Sequence, residues 1–92
     1  MIVPALKKFE PELIFISSGF DGLASDPLGG DMGLSPADYH FAVSELVKAA
    51  NSMACCNGRV VCVMEGGYDV NESSDGLAHA AEAVANALLY TR

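Results

Sequence analysis

Residues 13–16 are apolar in unbroken succession, Leu-Ile-Phe-Ile, and give way to Ser17, Ser18 and Gly19. The run has neither the 3.6-residue period of a surface helix nor the alternation of a half-exposed strand, so it predicts a strand buried on both faces. A second run, Val60 to Met64, ends in Glu65, Gly66, Gly67 and Tyr68 and predicts a second strand of the same kind. Between the two, Tyr39, Val43, Leu46, Ala50 and Met53 recur at spacings of four and three, the apolar stripe of a helix lying on a sheet. Leu77, Ala81, Val84 and Leu88, broadened by Ala78, Ala85 and Leu89, form a similar stripe after the second strand.

The polar and special residues mark the ends of these elements. Pro4 to Phe9 predicts a short helix with Pro at its first position and Lys7 and Lys8 near its carboxyl end, where cations suit the dipole; Pro11 stops it. Gly19 to Gly33 holds five glycines and Pro27, which is loop chemistry. Ser35-Pro36-Ala37-Asp38 combines a cap, a first-turn proline and an acid three residues after the cap, and so opens the second helix. Asn57-Gly58 ends its connection, and Ser73 or Ser74 is the expected cap of the last helix. The order is helix, strand, helix, strand, helix, with the strands expected to run parallel. Strands apolar at every residue need cover on both faces and usually belong to sheets of about four to six strands, whereas this chain supplies two. We therefore expect either an α/β portion of a larger parallel-sheet domain or a chain whose partners finish the sheet.

Composition narrows the class. A 92-residue chain with 51% hydrophobic residues is one small globular unit, and its longest apolar runs are far shorter than the roughly 20 residues that span a bilayer. No secretion signal is visible at Met1 to Phe9, which makes an intracellular location the default expectation. The three cysteines, Cys55, Cys56 and Cys62, are an odd number with two adjacent, against a disulfide framework; without a second Cys or His pair at zinc spacing, Cys55 and Cys56 read as helix-end packing and Cys62 as a core thiol. Net charge is -7, which argues against direct nucleic-acid binding. Asp21, Asp26, Asp31, Glu65, Asp69, Glu72 and Asp75 all fall in the two segments after the strands, where no Lys or Arg occurs. Such an edge attracts cations; equally, acids favour turns and helix starts.

Asp21 stands just past the first strand, where open α/β sheets place their ligands. Taken alone it is as often a turn residue as a ligand. Asp26, before Pro27, reads as a turn cap rather than a metal ligand. Asp38-Tyr39-His40 spells Asp-x-His, but side chains two apart on a helix diverge by about 200°, so the pair is read as cap chemistry beside a partly exposed histidine. His79, next to the last helix's stripe, is read as structural or exposed.

Three stretches, Pro-Glu-Leu-Ile-Phe-Ile-Ser-Ser-Gly-Phe-Asp-Gly at 11–22, Asp-Pro-Leu-Gly-Gly at 26–30 and Val-Met-Glu-Gly-Gly-Tyr at 63–68, closely resemble the carboxyl-terminal part of the zinc-dependent histone deacetylase family in its class II form. The likeness runs from about Val3 to Leu89. It implies that residues 1–92 are a carboxyl-terminal piece of a catalytic domain with the three-layer, arginase/deacetylase-like fold. By this resemblance Asp21 matches one of three protein ligands to a catalytic Zn2+, and Tyr68 the phenol that polarises the acetyl carbonyl and stabilises the oxyanion. Leu28 matches an apolar wall of the acetyl-lysine channel, and Gly66 and Gly67 the glycine loop beside it. The family's other zinc ligands and its His-His general base lie upstream of the matched part, so the metal site is incomplete here and the chain alone is expected to be inactive. The implied partners are an acetylated protein substrate, recognised at its lysine side chain, and the rest of the catalytic domain, with no membrane and no direct nucleic acid. Two other functions fit the same residues: deacetylation of small acetylated amines such as acetylpolyamines, and a non-catalytic fragment that binds another chain through its uncovered sheet.

Overall fold

A computed structural model of the chain describes residues 1–29 and 31–92. Its elements are helix α1 (Ile2–Phe9), strand β1 (Ile14–Ser18), helix α2 (Pro36–Ser52), strand β2 (Val60–Met64) and helix α3 (Gly76–Tyr90), with a short 3-10 turn at Phe20–Gly22 just after β1. The strands pair in parallel, Ile14 opposite Val60 through Ser18 opposite Met64. Helix, strand, helix, strand, helix is the expected order, and the parallel pair is the expected α/β topology.

Burial of the strands differs from the two-sided pattern. Ile14 is 7% exposed and its neighbour Phe15 is 67% exposed. Leu6 of α1, Ala50 of α2, and Met53 and Cys56 just beyond α2 close over Ile14, with Ile16 and Val60 beside them. A second cluster joins Phe20 and Leu23 to Val43 and Val47 of α2 and to Ala80, Val84 and Ala87 of α3, with Ile16 and Cys62 against it. The helices thus meet the face that carries Ile14, Ile16, Val60 and Cys62. Phe15, Val61 and Val63 belong to the other face and remain exposed. Three helices on one side cover one face, although both faces are apolar enough to be covered.

The expected stripe residues Tyr39, Val43, Ala50, Met53, Leu77, Ala81, Val84 and Leu88 lie in or against the core, but the most buried positions differ in part. Val47, absent from the expected stripe of α2, is buried, while Leu46 is only partly so. On α3 the buried positions are Ala80, Val84 and Ala87; Ala78, Ala85 and Leu89 face outward. In an alanine-rich helix the stripe cannot be set by side-chain size, and the small residues go where α2 comes close. Helix α1 begins at Ile2, two residues before Pro4. Proline is tolerated there because the first four amides of a helix have no partner within it.

Local signals were sharper where a side chain satisfies the backbone. Ser35 Oγ accepts from the amide of Asp38 at 3.3 Å, and Asp38 Oδ2 accepts from the amide of Ser35 at 2.8 Å, a complete capping box. The bond from Ser35's amide, joined by its hydroxyl, holds the Asp38 carboxyl below the usual carboxylate range. Ser35→Ala is expected to remove about 1 kcal/mol of stability. The check is urea unfolding, in which the midpoint should fall and the slope stay unchanged. At the other end of α2, the amides of Asn57 and Gly58 return to the carbonyls of Met53 and Ala50, with both residues in the left-handed region. The cap of α3 is a correction: Asp75, in the left-handed region and with no side-chain cap bond, precedes the helix. Ser74, one residue earlier, donates its hydroxyl to Asp69, while its oxygen accepts from the amide of Gly76 at 3.4 Å, so it serves both the loop and the first amide of α3. Among the described residues no helix is long and apolar enough to cross a membrane.

Candidate active site

Two loops leave the carboxyl ends of β1 and β2 and are stitched together. The amide of Glu65 donates to the carbonyl of Ser18 at 3.1 Å, continuing the ladder by one residue, and the amide of Phe20 donates to the carbonyl of Gly66 at 2.6 Å. Phe20 is 1% exposed and anchors the 3-10 turn in the core. The next residue, Asp21, is thereby turned out at the sheet edge and is partly exposed.

Glycines frame Asp21 closely. A Cβ built on Gly19 would stand 2.9 Å from Asp21 Oδ1, and one on Gly66 would stand 3.1 Å from the same oxygen. A Cβ on Gly29 would overlap the Asp21 backbone carbonyl oxygen. Backbone from the turn after Asp26 and from the β2 loop therefore approaches Asp21 as only glycine allows. Gly67 has φ +146, a region that side chains rarely adopt, and a Cβ built on it would stand 2.9 Å from Leu77 Cδ1 and 3.1 Å from Phe20 Cβ. The chain then reaches Tyr68, which is 48% exposed. Leu28, at the tip of the first loop, is 75% exposed. Asp21, Gly66, Gly67 and Tyr68 thus lie at one edge of the parallel pair, with Leu28 on the loop above it.

Three polar groups hold this edge in place. Asp26 is buried, 5% exposed. Its Oδ1 accepts from the amides of Leu28 at 2.8 Å and Gly29 at 2.9 Å, and its Oδ2 accepts from the amide of Tyr68 at 2.7 Å. Burial opposes the charge on Asp26, but the three amides prevail over it and hold the carboxyl below the usual carboxylate range. Asp69, also buried, accepts from the Ser74 hydroxyl and, at 3.3 Å, from the Asn71 amide; the Ser74 bond chiefly holds its carboxyl low. Tyr39 of α2 donates its hydroxyl to the carbonyl of Gly19 at 3.0 Å, and its ring stands 5.2 Å from that of Phe20. Burial pushes the Tyr39 phenol up, with the charges of Asp21 and Asp26 adding to it, so it remains a neutral donor.

The turn-cap reading of Asp26 describes one of its oxygens; the other crosses to the second loop. Tyr39, a stripe residue by its spacing, and Asp69, an acid of the second loop, give no local sign of these bracing roles. Asp38 is occupied by the capping box and His40, exposed, lies 3.4 Å from Ser44 Oγ, so the Asp-x-His triplet brings no two ligands together. His79 is exposed on α3. Cys55, Cys56 and Cys62 are free thiols at the helix end and in the strand. Among the described residues no group of three His, Cys, Asp or Glu could hold a metal. Asp21 fits as one oxygen ligand, half-open and cradled by glycine, and the remaining donors of a zinc centre are not supplied by these residues.

Residues 1–84 match the histone deacetylase domain. The chain belongs to the histone deacetylase family. Type-2 histone deacetylase 2 of Dictyostelium discoideum is 38% identical over 73 residues, which are 79% of this chain and 4% of that protein. The crystal structure of the HDA15 HD domain superposes with a TM-score of 0.79 at 30% identity, over 97% of this chain and 22% of that one. The structure of the histone deacetylase Clr3 gives the same TM-score at 32% identity, over 97% of this chain and 13% of that one. The chain therefore spans a minor part of the length of these relatives, and its parallel pair with three helices is a portion of their fold.

Proposed function

We propose that residues 1–92 supply the carboxyl-terminal part of the catalytic domain of a zinc-dependent deacetylase that removes acetyl groups from lysine side chains of histones or other proteins. The observation that carries this reading is the meeting of Asp21 and the Tyr68 loop at one sheet edge, braced by Asp26. In this role Asp21 contributes one anionic ligand to Zn2+. The metal, when bound, supplies a Lewis acid that lowers the pKa of a water and polarises the acetyl carbonyl. The Tyr68 hydroxyl donates a hydrogen bond to the carbonyl oxygen, where charge develops in the transition state. A phenol can do this without placing a competing charge in the site. Leu28 offers apolar surface to the methylenes of the lysine side chain, and Gly66 and Gly67 let backbone lie beside it where a side chain would intrude.

With one ligand and no general base among the described residues, the 92-residue chain alone is proposed to be inactive, with the rest of the catalytic domain as its partner. The test uses a complete catalytic domain containing residues 1–92, offered an acetyl-lysine peptide and an acetylated polyamine in parallel. The expected result is efficient, chelator-sensitive turnover of the peptide, weak turnover of the polyamine and none of either by the chain alone. Preference for the polyamine would overturn the substrate assignment. Turnover by the pure chain would overturn its dependence on the rest of the domain.

A further inference from the structure

We propose that Asp26 is a positioning residue for Tyr68, its carboxylate strapping the β2 loop to the β1 loop so that the phenol is held over the site. This inference rests on the catalytic reading of Tyr68. The geometry divides the work between two oxygens. Oδ1 closes the turn by accepting from Leu28 and Gly29, which fixes the loop that carries Leu28. Oδ2 accepts from the Tyr68 amide, 42 residues away in the chain. No other side-chain bond to the Tyr68 backbone occurs among the described residues, and the preceding Gly67, at φ +146, turns the chain through a conformation that side chains rarely adopt. The carboxylate is 5% exposed, so water does not compete for the amide, and a hydrogen bond to a charged acceptor is stronger than one between neutral groups. Asp69 reinforces the far side of the same loop through Ser74 and Asn71, leaving Tyr68 fixed on both flanks.

Asp26→Asn separates these functions. An amide side chain retains one oxygen for the turn but presents an NH2 group to the Tyr68 amide, where two donors face each other. In the complete domain, kcat is expected to fall about 10- to 100-fold, the effect of losing one charge-assisted bond when it matters only in the transition state. KM and zinc content should change little. The decisive measurement is the cycle with Tyr68→Phe: if Asp26 acts through the phenol, Asp26→Asn should cost almost nothing further once the hydroxyl is gone. Full additivity, or a normal kcat in Asp26→Asn with Tyr68→Phe impaired, overturns the positioning role alone. A near-normal kcat in Tyr68→Phe overturns the underlying reading of Tyr68. A second measurement needs no variant: in the unaltered 92-residue chain the Tyr68 amide is expected to be protected from hydrogen exchange beyond that of the exposed Glu72 in the same loop. Exchange at the free-loop rate would show that the strap does not hold.

Discussion

Tyr68→Phe in a complete catalytic domain is expected to lower kcat by about 100- to 1,000-fold, the usual cost of removing one donor from an oxyanion site. The change deletes a single oxygen. Tyr68 follows Gly67, sits half-exposed at the sheet edge and is held through its backbone amide, so the ring of phenylalanine can occupy the same place without loss of the Asp26 bond. Zinc content should be unaltered, because the phenol is not part of the donor set proposed for the metal. KM should shift far less than kcat, since a bond that strengthens only as the carbonyl becomes an oxyanion contributes to the transition state and little to ground-state binding. If Tyr68 served only as a loop residue packed at the sheet edge, the variant would lose stability and keep its kcat. Steady-state kinetics together with metal content on the folded variant distinguish the two outcomes, and a normal kcat with normal zinc removes Tyr68 from the mechanism.

The reason this edge could be anticipated from the chain, while its bracing could not, lies in the range of the interactions. The two apolar runs, the Ser35-to-Asp38 cap and the Asn57-Gly58 exit are each encoded within a few residues, and all appear where their local chemistry places them. A strand followed by a polar, glycine-rich loop, twice, then puts Asp21 and Tyr68 on the same side once the strands run parallel. Helix orientation is another matter. In α3, alanines at 78, 80, 81, 83, 85 and 87 offer several equivalent stripes, and contact with α2 selects the one through Ala80, Val84 and Ala87. Asp26 shows the same limit at the site. Its turn with Leu28 and Gly29 is visible as Asp-Pro, yet nothing near residue 26 reports that its other oxygen will meet the amide of Tyr68. Ser74 is legible as a helix-start residue and does accept from the Gly76 amide, but nothing near it reports that its proton goes to Asp69, a buried acid in need of a donor.

Replacing Asp21 should produce the opposite signature to Tyr68. Asp21→Ala in the complete domain is expected to lower zinc occupancy and activity together, by more than the roughly 10- to 100-fold that follows loss of an outer-shell partner, because an anionic ligand itself is removed. Global unfolding is not the expected cause. The side chain is partly exposed, and its surroundings are backbone at Gly19 and Gly66 rather than a packed apolar core, so truncation leaves a small, wettable gap. Asp21→Asn preserves the shape and one oxygen but loses the charge that balances the metal, so excess zinc should restore part of its activity and less of that of the alanine variant. Metal per folded protein, measured beside kcat, is the check. Were Asp21 only a strand-end turn residue, the variants would lose stability while the folded fraction kept its full zinc. That result would separate Asp21 from the metal, and the proposed division of labour between the β1 and β2 loops would fail with it.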